Sequence, residues 1–473
     1  MRYLSTTGKE VAVGAASTGT ATSRVLTPEL SRAYPVAVRG SGVWIEAADG
    51  SRYLDAMSGG SMAATLGFGR ADLVEAGRRQ ARELAHVHNE RLTNPWQERL
   101  AEELVSVAPP GFGRVRFVTG GAEANELVVQ LARAYHVERG EPERWQVVSP
   151  AQAYHGPTFE TLALTGRPGL HGPFSPYLPA HVHIPPSTWR FDPSGDAALE
   201  ALDAALDAVG PETVSLFFLE PVSAAALPGY SPPRRFWEGL EDRRRRHGFL
   251  VGFDEVVTGM GRTGSWFAAN DLPLVPDLVA TAKGLGAGYA PIGAVLCRTE
   301  VYEAFERGSR RFALGHTWDG SPLPCAVGLA VVDALRREGL VERVRERGER
   351  LRAQLAAALA DVAVVREVTG KGYLLGVHLV DPRDEDAFLP RELRVASRVD
   401  AAAMARGLVT LSTQPTGDGY AGDQTLFAPA FVASDAELEE MVERLAEVLR
   451  TVSAEVEHEL AAAGAPVPVR RAR

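Results

Sequence analysis

Lysine is almost absent from this chain. Its 473 residues carry 50 basic side chains, yet Lys9, Lys283 and Lys371 are the only lysines. A chain that charges its surface with arginine keeps a lysine where a guanidinium fails. An amine that must shed its proton to attack a carbonyl is such a place, because arginine is never deprotonated in a protein. Cysteine is scarce too: Cys297 and Cys325 alone exclude a disulfide framework or a cysteine zinc site and fit a reducing compartment. No run approaches the roughly 18 apolar residues of a membrane span, and the N-terminus lacks the apolar core of a signal peptide, so a cytoplasmic protein is expected. A basic excess is also missing. The net charge of −10 argues against binding to a phosphate backbone, so no nucleic-acid partner and no membrane are expected. What remains, at 45% hydrophobic and 23% charged residues, has the balance of an ordinary globular protein of roughly two or three domains.

The informative stretch runs from Phe249 to Gly288. Phe249-Leu250-Val251-Gly252-Phe253 has the length and apolarity of a strand buried on both faces, closed by Asp254-Glu255. Leu278-Val279-Ala280-Thr281-Ala282 repeats the pattern and ends on Lys283, with Gly284, Gly286 and Gly288 after it, where backbone and ligand can approach closely. An acid and an amine are thus expected at two strand ends, the edge at which open α/β sheets place their sites. Upstream, the strand-like Arg114–Val118 leads through Gly120-Gly121 into a long helical pattern, and a helix that begins on glycines is a ready anion site. An aromatic at Tyr154, after the strand-like Trp145–Val148, offers a flat stacking surface, and His155 beside it reads equally well as a structural histidine.

DEVVTGMGRTG followed by PDLVATAKGLGAGYAPIGAV resembles the cofactor segment of the class III (omega) aminotransferases, pyridoxal-phosphate enzymes of fold type I. GGAEANE, Ala153-Tyr154-His155-Gly156, Glu220-Pro221-Val222 and the stretch from His316-Thr317 to Gly320-Ser321-Pro322 are similar to further motifs of that family, so the likeness spans about 54–429. It implies an aldimine at Lys283, Asp254 on the pyridine nitrogen, Val256 packed on the ring face and Tyr154 stacked on the ring. It also implies Glu220 beside the phenolic side, and a phosphate held by the amides of Gly121 and Ala122, where relatives have a hydroxyl in place of Ala122. In relatives the threonine matching Thr317 binds the phosphate of the neighbouring subunit, which implies a homodimer with shared sites. The activity implied moves an amino group between a small-molecule amine donor and a keto acceptor. Racemases, aminomutases, lyases and decarboxylating transaminases share the scaffold, while an effector module fused to a DNA-binding domain finds no room for a helix-turn-helix in the N-terminal arm.

The fold expected is α/β: a large domain (86–325) with a mainly parallel, seven-stranded-type sheet between helices, and a small α/β domain from 28–85 and 326–460. A mobile arm (1–27) and a disordered tail (461–473) flank them. The segment from Gly166 to Pro193, with His171, His181 and His183, reads as a long substrate-entrance loop without a metal site. Arg243 to His247 read as a solvated basic face, Lys371–Leu379 as one strand and Ser412–Gln424 as a loop. Ser434-Asp435-Ala436-Glu437 reads as a capping box for the last helix. Between Gly407 and Val432 there is no cation, and Leu426-Phe427-Ala428-Pro429 is expected to give the substrate site an apolar wall. A substrate carboxylate would then need another partner, with Arg167, Arg262 or an arginine of the partner chain as the candidates, and an amine, ω-amino acid or larger biosynthetic intermediate is expected as donor rather than a common α-amino acid.

Overall fold

The apolar runs form the centre of a seven-stranded sheet. The computed structural model describes residues 24–30, 32–188, 192–413 and 422–462, with the backbone of the short strands Arg2–Leu4, Glu10–Ala12 and Ser17–Thr18. Most of the 1–27 arm and nearly all of the 461–473 tail lie outside the described residues. The large sheet contains β1 (Phe112–Val118), β2 (Gln146–Pro150), β3 (Val182–Ile184), β4 (Val214–Leu219), β5 (Leu250–Asp254), β6 (Leu278–Thr281) and β7 (Gly293–Arg298). Their spatial order is β3-β2-β4-β5-β6-β7-β1, with β7 antiparallel to both neighbours and the other strands all running one way.

Alternation along the strands explains why helices cover both faces. Leu216, Phe218 and Leu250 pack with Leu127, Val128 and Leu131 of the helix Gly121–Glu138. Phe217, Val251 and Phe253 turn the other way, towards Phe236, Trp237 and Leu240 of the helix Arg234–His247. All of these are buried, and burying such a side chain stabilises by roughly 1.5–3 kcal/mol. Gly252 sets how closely the first helix sits: a Cβ there would lie 2.9 Å from Val128 Cγ1 and 3.0 Å from Phe218 Cδ2. The missing side chain lets that helix settle on β5, with its N-terminal turn above the strand's carboxyl end.

A smaller sheet joins both ends of the chain. The meander Ala37–Ser41, Trp44–Ala47 and Arg52–Asp55 accepts Leu408–Val409 as a parallel neighbour of its last strand. A third sheet, Val365–Lys371, Leu374–Leu379, Gln424–Phe427 and Leu411–Thr413, stands beside it. The closing helix Asp435–Ala462 begins with the expected reciprocal cap: Glu437 N–H donates to Ser434 Oγ, and Ser434 N–H to Glu437 Oε2.

Four expectations are corrected. The 166–193 segment is not one loop, since its residues Val182–Ile184 pair with β2 as the edge strand; three residues between proline-rich flanks carry too little periodicity to announce a strand. The stretch Lys371–Leu379 is a hairpin turning at Gly372, with Lys371 ending the preceding strand. Part of the expected loop at 412–424 is strand at both ends, the residues between them lying outside those described. The basic run is only partly solvated, because Arg243 pairs with Asp203 and Arg244 with Asp277, each arginine side chain being 16% exposed. Among the described residues no helix is long and apolar enough to cross a membrane.

Candidate active site

The carboxyl ends of the parallel strands meet around one cavity of about 790 Å³. Register brings the acid and the amine together: Asp254 of β5 lies opposite Ala280 of β6, and Lys283 follows three residues later at the start of a 3₁₀ turn. Glu220 enters from the end of β4, Tyr154 and His155 from the loop after β2, and Gly121 and Ala122 from the helix after β1. Val256 and Lys283 complete the wall, so all the site residues expected from the sequence line this cavity except Thr317. Thr317 is exposed.

Asp254 is held from three sides. Its Oδ2 accepts hydrogen bonds from Asn125 Nδ2 at 2.7 Å and lies 2.8 Å from His155 Nδ1, while Oδ1 accepts from Val256 N–H at 3.0 Å. Asn125 Nδ2 also donates to the His155 carbonyl at 2.7 Å, tying helix, loop and strand into one unit. Asp254 is 5% and His155 2% exposed. His155 is therefore an orienting partner of the carboxylate, a role that its sequence context left open.

The charges of the site perturb one another. Burial lowers the pKa of the Lys283 ammonium, against the opposing pull of Asp254 and Glu220. Burial, and next the like charge of Asp254, push the Glu220 carboxyl up to about 7, although it accepts from Ala224 N–H at 3.0 Å and Tyr154 N–H at 3.3 Å. A deprotonatable amine beside an anchored carboxylate is the pair needed to attack a carbonyl and to shuttle a proton. At the other end, Gly121 and Ala122 are the first two residues of their helix, so their N–H groups have no intrahelical acceptor. Gly121 has no room for a side chain: a Cβ would lie 2.7 Å from Val256 Cγ1.

Two arginines that look alike in sequence separate here. Arg262 is fully buried away from the cavity, donating to the carbonyls of Tyr373 at 3.0 Å and Pro429 at 2.6 Å and to Ser58 Oγ at 3.0 Å. Arg167 is half-buried in the cavity wall. The expected apolar wall at Leu426–Pro429 is also corrected: these residues are buried in the third sheet and its exit, and Leu411 from that sheet lines the cavity instead. Nothing in the motif GGAEANE by itself gives Asn125 a role; its place one helical turn after Gly121, on the same face, is the signal that could have found it.

The class III aminotransferase family model matches residues 28–449. The chain belongs to that family, whose members depend on pyridoxal phosphate, and it is an aminotransferase. It is similar to a probable aminotransferase of Mycobacterium tuberculosis, 38% identical over 79% of this chain and 82% of that protein. It is also similar to a diaminobutyrate–2-oxoglutarate transaminase of Halomonas elongata, 32% identical over 88% of this chain and 90% of that one. Among solved structures it resembles an (S)-enantioselective omega-transaminase from Thermomicrobium roseum, with a TM-score of 0.84, 32% identity, and coverage of 92% of this chain and 97% of the other. The fold is accordingly that of fold type I pyridoxal-phosphate enzymes.

Proposed function

We propose that the cavity binds pyridoxal phosphate and serves a cytoplasmic, homodimeric aminotransferase whose donor is an amine or an ω-amino acid rather than a common α-amino acid. The observation that carries this reading is the juxtaposition of the Lys283 amine and the Asp254 carboxylate on adjacent strand ends of one cavity. The residues fit the cofactor's chemistry. An amine with a lowered pKa suits an aldehyde, an anchored carboxylate suits a ring nitrogen, and the side-chain-free helix start at Gly121 suits a phosphate. When bound, the cofactor supplies an aldehyde and an electron-withdrawing ring. Asp254 holds the proton at the ring nitrogen, kept in place by Asn125 and His155. Lys283 would move the proton at the donor carbon, Tyr154 and Val256 would offer packing surfaces to the ring, and the amides of Gly121 and Ala122 would hold the phosphate.

The mouth of the site supports the homodimer part of this reading. Thr119, Tyr289, Ala290 and Pro291 border both the cavity and a neighbouring apolar groove lined by Leu73, Val74 and Trp318. Val74 is 55% and Trp318 51% exposed, and Thr317 lies beside Trp318, where it would face a partner. The division into a large domain (86–325) and a small one (28–85 with 326–460) is part of the same proposal. For the donor, the cation-free stretch 407–432 matters: a carboxylate buried without a partner costs a few kcal/mol. The Halomonas relative is named for a diamino acid donor, which is compatible with an amine remote from the carboxylate. The test is a donor panel scored by kcat/KM against a single 2-oxo acid. Amines and ω-amino acids should lead, and a wide lead for alanine or glutamate would overturn the donor assignment.

A further inference from the structure

The cavity wall carries a cation that the chemistry above does not use. The guanidinium of Arg167 has five N–H donors, and among the described residues its side chain makes one hydrogen bond, Nη2 to Thr413 Oγ1 at 3.3 Å. No carboxylate among the described residues forms an ion pair with it. Its other donors are not sealed among protein atoms, unlike Arg262 Nε, which is buried without an acceptor. The two arginines therefore differ in kind. Arg262 binds carbonyls and a hydroxyl of the protein, and Arg167 presents its fork to the space where substrate enters.

Position sets what that fork would hold. Glu220 is an ionisable neighbour of both Arg167 and Lys283, whereas Asp254 acts on Lys283 and Tyr154 on Arg167. The backbone beside Arg167 is tied to the loop after β2, where the Gly166 carbonyl accepts from Gln152 N–H at 2.6 Å, whereas Lys283 follows β6, with β4 and β5 between those strands. A substrate that joins the two side chains carries its anionic group apart from its amine. The short helix that begins after Arg167 (Pro168–His171) and the Thr413 contact fix the arginine between the entrance segment and the third sheet.

We infer that Arg167 binds the distal carboxylate of an ω-amino acid donor through a forked ion pair, and so determines the preference for carboxylated over plain amines at this site. A guanidinium matches a planar carboxylate with two parallel hydrogen bonds, which a lone ammonium or a neutral side chain does not reproduce. The inference rests on the reading of the cavity as the substrate site, and its test separates the two.

The test uses the cofactor-loaded enzyme in the donor half-reaction, with no 2-oxo acid present, since an acceptor also carries a carboxylate. Straight-chain ω-amino acids of three to six carbons are compared with alkylamines of the same length by the rate of cofactor conversion. The wild type should favour the amino acid at one or more chain lengths. R167Q should lower that ratio tenfold or more, R167K should fall between, and T413A should keep it within about threefold. Butyrate binding, followed by calorimetry, should weaken with R167Q in the same proportion. Equal slowing of both donors by R167Q would make the arginine a fastening for Thr413 only and overturn the proposal, as would an unchanged ratio or a wild type that favours the plain amine throughout. A wild type whose bound cofactor none of these donors converts would count against the site itself, and with it against this role for Arg167.

Discussion

Replacing Asp254 with Asn tests the central pair most directly, and the structure gives the size of the effect. The carboxylate accepts from Asn125 and Val256 and partners His155. In Asp254→Asn the amide oxygen can keep the Val256 bond, but an NH₂ group then faces the NH₂ of Asn125. Turning Asn125 over would offer its Oδ1, which is otherwise without a partner, at the cost of its bond to the His155 carbonyl. One buried donor stays unsatisfied either way, so stability should fall by about 1–3 kcal/mol. The larger effect is on the reaction. Loss of the fixed charge at the cofactor nitrogen removes an electrostatic partner in a water-poor site, an effect of about 10²–10³ in rate. Single-turnover conversion of bound cofactor by a good donor measures the rate, with denaturant unfolding of the same samples for the stability term. A donor deuterated at the carbon next to its amine should show a larger isotope effect in the variant, because proton removal becomes slower than every other step. Asp254→Asn reacting within about threefold of the wild type, with cofactor fully bound, would refute the assignment of Asp254 to the ring nitrogen.

The parts of this molecule legible in the sequence are those in which local pattern and tertiary role coincide. β5 ends on a carboxylate after an unbroken apolar run, Leu216-Phe217-Phe218-Leu219 of β4 runs into Glu220, and β6 is followed by the lysine, so acid and amine could be placed at strand ends before any contact was known. The cap of the last helix needs only four consecutive residues. What could not be read depends on partners far along the chain. The bonds to Asp254 come from residues 129 and 99 positions away, and nothing in Ala153-Tyr154-His155-Gly156 says which atom His155 meets. Arg167 and Arg262 are each a lone arginine beside a glycine or threonine; only packing shows that backbone carbonyls enclose one and the cavity receives the other. The third sheet misled for a related reason. Leu426-Phe427-Ala428 is apolar whether it lines a site or fills a core, and apolarity alone does not say which.

Lys283→Ala should abolish conversion of the cofactor while Lys371→Ala leaves it intact, because Lys371 pairs with Asp271 away from the cavity; borohydride reduction followed by peptide mapping should find the cofactor on Lys283, and its discovery elsewhere would sink the assignment. Sedimentation should find a dimer, and Thr317→Ala should loosen cofactor about tenfold without unfolding the chain; an active monomer at full occupancy would count decisively against a shared site. His378 gives a prediction about acid stability. Buried on the strand Leu374–Leu379, it lies 2.7 Å from Thr369 Oγ1 and 3.1 Å from the Pro228 carbonyl, and burial pushes its pKa down to about 4. A histidine whose folded pKa is depressed contributes stability above its unfolded value of about 6.5, and loses it as pH falls towards the folded value. Between about pH 6.5 and 4 that loss approaches 3 kcal/mol, at 1.36 kcal/mol per unit. The carboxyl of Glu367, opposite His378 on the neighbouring strand, is pushed up by burial and titrates with the opposite sign. Comparing the wild type with His378→Gln removes most of that contribution, since Glu367 is present in both. The denaturant midpoint of the wild type should therefore fall more steeply than that of His378→Gln across this window, and parallel curves would mean that the ring takes up its proton in the folded state as easily as in the unfolded chain.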